Sequence, residues 1–176
     1  MALSSLATVP ITTLKGIGPK VADKLKKLDI QFIEDALFHL PLRYEDRSHI
    51  VTIADTLIGS HVAIVGQVAS CQIQFGKRRT LVVKVADHTG SMTLRFFNFS
   101  AAQKNQFEPG VWLKCFGEIR RGRYGPEMTH PEYRKVDPTQ PIDVEASLTP
   151  IYPTTEGIKQ ATLRNITEQA LDRLQK

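Results

Sequence analysis

Between Ile11 and Leu28 apolar residues recur every three or four positions (Ile11, Leu14, Ile17, Val21, Leu25, Leu28), the spacing that lines one face of an α-helix. Gly16-Ile17-Gly18-Pro19 interrupts the run, so the pattern predicts a turn there and a short helix from Lys20 to Lys27. A second helix is predicted from about Phe32 or Asp35 to His39, with Ile33, Ala36, Leu37 and Leu40 on its apolar side and Pro41 as its stop. Residues 41–47 then read as a polar connector, and residues 53–59 lead into a different pattern.

From His61 the period changes to two. Strands are predicted at His61 to Val68, Arg79 to Ala86, Ser91 to Phe97, Trp112 to Ile119 and Glu127 to Tyr133, with Gly66 as a bulge or bend in the first. A turn at Asp87-His88-Thr89-Gly90, a short helical or irregular piece at Ser100 to Gln106 and a turn at Arg121 to Gly125 separate them. A long, bent first strand and an insertion between the third and fourth are the order of a five-stranded OB barrel. Beyond it, Pro138, Pro141, Pro150 and Pro153 punctuate an extended linker, and Gly157 to Lys176 reads as a helix with Ile158, Ala161, Leu163, Ile166, Ala170, Leu171 and Leu174 on its apolar side. That helix reaches Lys176 without a capping residue, as it would in a piece of a longer protein. The expected fold class is α+β: an N-terminal helical subdomain (1–60), the OB barrel (61–135), and a proline-rich linker with a C-terminal helix (136–176).

Composition narrows the function. With 176 residues, 41% of them hydrophobic and 23% charged, the chain is an ordinary folded protein of one moderate core or a core with a subdomain. No apolar run approaches the roughly 20 residues that span a bilayer, and Met1 to Pro10 lacks the basic start of a secretory signal. Cys71 and Cys115 are expected to be reduced, buried thiols, and the five histidines have no metal-ligand spacing. No phosphate loop, nucleophile elbow or paired-carboxylate pattern is present, so the chain is expected to be catalytically inert and to hold no cofactor.

The charge is concentrated. Residues 61–135 carry 12 Lys/Arg against 5 Asp/Glu, whereas the flanking segments are balanced or slightly acidic. Such segregation suits a surface facing a polyanion, with nucleic acid ahead of an anionic membrane because no basic amphipathic helix is present. Two glycine-containing basic loops, one with Lys77, Arg78 and Arg79 and one with Arg121, Arg123 and Tyr124, are candidate phosphate contacts, as is Arg95; their bland reading is a solvated hairpin tip. Within Leu94-Arg95-Phe96-Phe97-Asn98-Phe99, strand alternation sends Phe96 and Phe97 to opposite faces, so one ring is left outside the core. Phe96, Phe97 and Phe99 are the candidates to stack on bases, at roughly 1–3 kcal/mol per base, against a structural role in packing on the N-terminal helices. Leu14-Lys15-Gly16-Ile17-Gly18-Pro19-Lys20 looks like the hairpin of a helix-hairpin-helix, in which Gly16, Gly18 and Lys20 would meet a phosphate; a structural turn between packed helices explains it equally well.

Four separated motifs also carry a resemblance. Leu40-Pro41-Leu42-Arg43-Tyr44-Glu45-Asp46-Arg47, the Leu94 to Phe99 cluster, Gly122 to Gly125 with Met128 to Tyr133, and Leu148-Thr149-Pro150-Ile151-Tyr152-Pro153-Thr154-Thr155-Glu156-Gly157 resemble the amino-terminal wedge region of the RecG family of bacterial ATP-dependent DNA helicases. The resemblance implies a monomeric, cytoplasmic, nucleoid-associated wedge that binds branched DNA such as stalled forks and Holliday junctions, with an aromatic of the Phe-Phe segment, Phe97 favoured, stacked on an unpaired base. It further implies two C-terminal motor domains that use ATP and Mg²⁺, which this chain does not contain. A generic single-strand-binding OB protein and a protein-interaction OB module are the alternatives.

Overall fold

The protein is described by a computed structural model covering residues 6–142 and 148–175. It forms two compact units, Met1–Glu45 with Leu148–Lys176, and Asp46–Ser147. Its helices are α1 (Pro19–Leu25), α2 (Ile33–Phe38), α3 (Ala101–Lys104) and α4 (Gln160–Leu174). Its strands are β1 (Arg43–Glu45), β2 (His61–Gln74), β3 (Thr80–Ala86), β4 (Ser91–Phe97), β5 (Trp112–Glu118), β6 (Arg120–Gly122), β7 (Gly125–Thr129), β8 (Glu132–Lys135) and β9 (Thr149–Ile151).

The first unit is helical and closes over a large sequence distance. With seven and six residues, α1 and α2 are too short to be stable alone. They are held because Leu14, Leu25, Ile30 and Ile33 share a core with Leu163, Ile166 and Ala170 of α4 and with Tyr152. The segments read from the sequence as 1–60 and 136–176 are therefore grouped differently by packing: the C-terminal helix completes the N-terminal core. Ala161 and Leu171, expected on its apolar side, are exposed. The Asp35 carboxylate starts α2 by accepting the N–H groups of Gln31 and Phe32, both at 2.8 Å. The supposed connector and linker pair instead as a two-stranded antiparallel sheet, Arg43 opposite Ile151 and Glu45 opposite Thr149. Three-residue strands containing Pro150 carry too little alternation to be recognised.

The second unit is the barrel. One half of the 14-residue β2 pairs with β5 (His61 opposite Glu118 to Gln67 opposite Trp112), and the other with β3 (Gln67 opposite Ala86 to Gln74 opposite Thr80). The first strand thus runs beyond its predicted end at Val68, as far as Gln74. The register shift that lets it turn falls between Val68 and Ser70, not at Gly66. Antiparallel pairing continues from β3 to β4, and β4 then pairs in parallel with β7. The predicted fifth strand is broken in two: His130, at φ 50°, and Pro131 separate β7 from β8, which pairs with β5. β7 thereby joins the β4 side of the sheet and β8 forms its far edge beside β5, so this bent segment runs from one side of the strand order to the other. Residues expected to be a turn instead supply β6, paired antiparallel to β7. Ile64, Leu81, Val83, Leu94, Phe96 and Leu113 fill the interior. Arg47, in the supposed polar connector, is 4% exposed; it meets Glu132 through two bonds of 3.0 Å and lies 3.9 Å over the Phe116 ring.

Candidate nucleic-acid interface

Period-two alternation on β4 settles the Phe-Phe question. Met92, Leu94 and Phe96 point into the barrel, while Ser91, Thr93, Arg95 and Phe97 share its outer face. Phe96, at 2% exposure, packs against Phe107 (5.2 Å between centroids), Tyr133 (5.5 Å) and His130 (6.0 Å), so it is a core residue and not a surface ring. Phe97 is half-buried, with its ring 5.3 Å from that of His130. Phe99 leans on the barrel core and is covered by Arg79, whose guanidinium carbon lies 4.7 Å from the ring centroid.

The outer face of β2, β3 and β4 is grooved. Ser70, Gln72, Val82, Lys84, Ser91, Thr93 and Tyr124 line a depression of about 180 Å³ that contains one ammonium and no carboxylate. Two loops stand near this face. The β2–β3 loop carries Phe75, Lys77, Arg78 and Arg79, all exposed; the β6–β7 loop carries Arg123 and Tyr124, with Arg123 positioned 5.4 Å over the tyrosine ring. Phe75 and Tyr124 are 83% and 82% exposed. Gly122 makes the second hairpin possible: a Cβ there would collide with the Glu127 carboxylate and approach the Gly125 carbonyl to 2.9 Å.

The candidate cations separate into two groups. Among the described residues Lys77, Arg78 and Arg121 have no ion-pair partner, so their charge faces solvent. Arg95, expected as a phosphate contact, is instead mostly buried and bonded through Nε to Glu127 at 2.7 Å. Arg120 is paired with Glu118 at 2.7 Å; that hydrogen bond, then the arginine's charge, holds the Glu118 carboxyl below the usual range. Cys115 is buried, which pushes its thiol up to about 12, and burial also raises Cys71. No group of His, Cys, Asp or Glu among the described residues is placed to hold a metal ion, and no described helix is long and apolar enough to cross a membrane.

In the helical unit the Gly16–Lys20 hairpin is a packed turn. Gly16 has φ 84°, which glycine adopts without strain, and Gly18 caps α1. Leu14 and Ile17 are buried beside it, and the Gln169 amide bonds both the N–H (2.8 Å) and the carbonyl (3.1 Å) of Lys15. Lys20 is exposed.

The family profile of the RecG wedge domain matches residues 10–174. The chain belongs to the RecG wedge domain family. It is 47% identical over 169 residues to the ATP-dependent DNA helicase RecG of Escherichia coli K12, covering 96% of this chain and 24% of that protein. With the Haemophilus influenzae helicase of the same name it shares 48% over 176 residues, covering 100% of this chain and 25% of the relative. The solved structure of RecG bound to a three-way DNA junction superposes with a TM-score of 0.75 at 27% identity, over 94% of this chain and 23% of that one. The wedge thus spans about a quarter of the length of the curated relatives it matches. Three features of its surface are not among the residues that the sequence pattern singles out. Phe75 is legible as an aromatic at the tip of a basic hairpin, a signal easily passed over beside the three cations that follow it. Lys84 sits in an unremarkable alternating strand, and the placement of His130 depends on a tertiary register that no local signal carries.

Proposed function

We propose that this chain is the branched-DNA-binding wedge of a longer RecG-like, ATP-dependent helicase that acts in repair and recombination by reversing forks and migrating junctions. In this reading the outer face of β2–β4 lies at the branch point, and Phe97 stacks on a base left unpaired there. Lys77, Arg78, Arg79, Arg121 and Arg123 hold phosphates of the arms without reading sequence. Gly16, Gly18 and Lys20 add a weaker contact to one arm, limited because their loop is already bound to Gln169. ATP and Mg²⁺ belong to motor domains C-terminal to this segment, and the wedge itself performs no bond chemistry. It acts as a monomer, in the cytoplasm at the nucleoid. The observation that supports the reading most is the coincidence, in one unit, of a half-buried ring on the outer face at the end of β4 with loop cations that have no ion-pair partner among the described residues.

Competition among a three-way fork, a linear duplex and a single strand of matched sequence tests it. Fork binding that is tightest and salt-sensitive is the expected result. Preference for the plain single strand would make the chain a generic single-strand binder, and no salt-sensitive DNA binding at all would make it a protein-interaction module.

A further inference from the structure

We infer that His130 is a positioning residue for Phe97: neutral imidazole fixes the end of β4 so that the Phe97 ring is presented at the barrel surface. The inference rests on the reading above, in which Phe97 meets an unpaired base. His130 occupies the break between β7 and β8 with φ 50°, a conformation uncommon for a residue with a side chain. It is held there by its own N–H, which donates to the Arg95 carbonyl at 2.8 Å and prolongs the β4–β7 ladder by one bond. Regular pairing of β4 with β7 ends at Arg95 opposite Thr129. Beyond that point the imidazole takes over the role of a strand: Nε2 accepts the Phe97 N–H at 3.2 Å. The same ring lies 5.3 Å from the Phe97 ring and edge-on, 6.0 Å away, to Phe96. One side chain therefore touches the buried ring of Phe96, the half-buried ring of Phe97 and the peptide group of Phe97.

The direction of that bond fixes the protonation state. A peptide N–H can only donate, so Nε2 must carry its lone pair and the neutral ring keeps its proton on Nδ1. Uptake of a second proton sets two donors against each other and removes the tether. Charged and titratable groups on the packed elements are Arg95 on β4, Glu127 on β7, and Glu132, Tyr133, Arg134 and Lys135 on β8. Arg95 and Glu127 are bonded to each other, and Glu132 is bonded to Arg47. Proton uptake by His130 is thereby coupled to the placement of the ring that meets DNA.

The test uses the whole chain. In isotope-labelled protein titrated between about pH 8 and pH 5, the Phe97 amide signal should move with the same midpoint as the His130 ring signals, and His130→Ala should abolish that movement. On a fork carrying 2-aminopurine at the branch point, His130→Ala should weaken binding roughly five- to tenfold, at the lower end of the range for one stacked base. Combined with Phe97→Ala it should weaken binding no further. His130→Gln, whose Oε1 can accept the same N–H, should restore most of the affinity and remove its pH dependence. Additive effects in the double variant, or a Phe97 amide indifferent to the His130 titration, would overturn the inference. If His130→Ala fails to fold, the titration of the parent and the glutamine variant still decide. Fork binding by Phe97→Ala equal to the parent would instead defeat the reading of the DNA surface, while the coupled titration judges the positioning by itself.

Discussion

In the helical unit, Arg173 donates to the Thr13 carbonyl at 3.0 Å, Gln169 bonds Lys15 in both directions, and the His39 ring donates to the Pro153 carbonyl at 2.9 Å. Each bond joins segments more than 100 residues apart in sequence. At the loops of the barrel, Lys77, Arg78 and Arg121 have no ion-pair partner among the described residues, and two aromatic rings stand in solvent. Long polar side chains thus tie distant segments together in the helical unit, whereas those at the tips of the barrel's loops stand in solvent, where the proposed function has DNA meet them. The difference teaches where a substitution should register: as stability in the helical unit and the barrel interior, as DNA affinity at the barrel's loops and outer face.

The largest effect should come from the barrel interior. Phe96→Ala empties a site 2% exposed and should lower stability by roughly 3–5 kcal/mol in chemical denaturation. A variant as stable as the parent would mean that the ring does not carry the core. At the loops the effect should change kind. Replacing Lys77, Arg78 and Arg121 together by Ala should leave the melting temperature alone and flatten the salt dependence of fork binding by roughly 0.7–0.9 for each phosphate no longer held. An unchanged slope would remove the division between fold and ligand. Gln169→Leu should do the reverse, lowering stability by about 1–2 kcal/mol because Lys15 loses its partner, while fork affinity, to which this loop adds only a weak contact, changes much less than in the loop-cation variant.

The smallest effect concerns acid. Burial alone would raise the Asp87 carboxyl, but bonds from the Thr89 hydroxyl and from the N–H groups of Ile53, Thr89 and Gly90 outweigh it and hold it at about 2, against 3.8 for an unperturbed aspartate. A depressed folded value means stability that is complete above 3.8 and lost as pH falls towards 2. Asp87→Ala should therefore melt earlier at neutral pH and lose part of the parent's acid sensitivity across that window. Equal acid sensitivity in both proteins would rule the carboxylate out as a contributor.

Local pattern carries the barrel well: alternation places β3 and β4, each with one face in the core, within a residue or so, and the apolar run bounded by Gly110 places β5 as closely although both of its faces are covered. It also divides Phe96 from Phe97 in principle, though which ring is buried depends on the neighbours Phe107, Tyr133 and His130. What alternation does not carry is pairing. The split between β7 and β8, the β1–β9 sheet and the insertion of α4 into the N-terminal core are all set by partners distant in sequence. Among the cations, Arg95 looks like its neighbours in the chain, and only the three-dimensional proximity of Glu127 shows that its charge is already matched.

The central claim, that the outer face of β4 meets the branch point through Phe97, is tested most directly by Phe97→Ala. Fork and linear duplex binding should be measured at one salt concentration, alongside a thermal melt. Binding weaker by roughly 1–3 kcal/mol on the fork, with duplex binding and melting temperature unchanged, is the predicted result. Fork binding equal to the parent's by a variant that melts normally would contradict it.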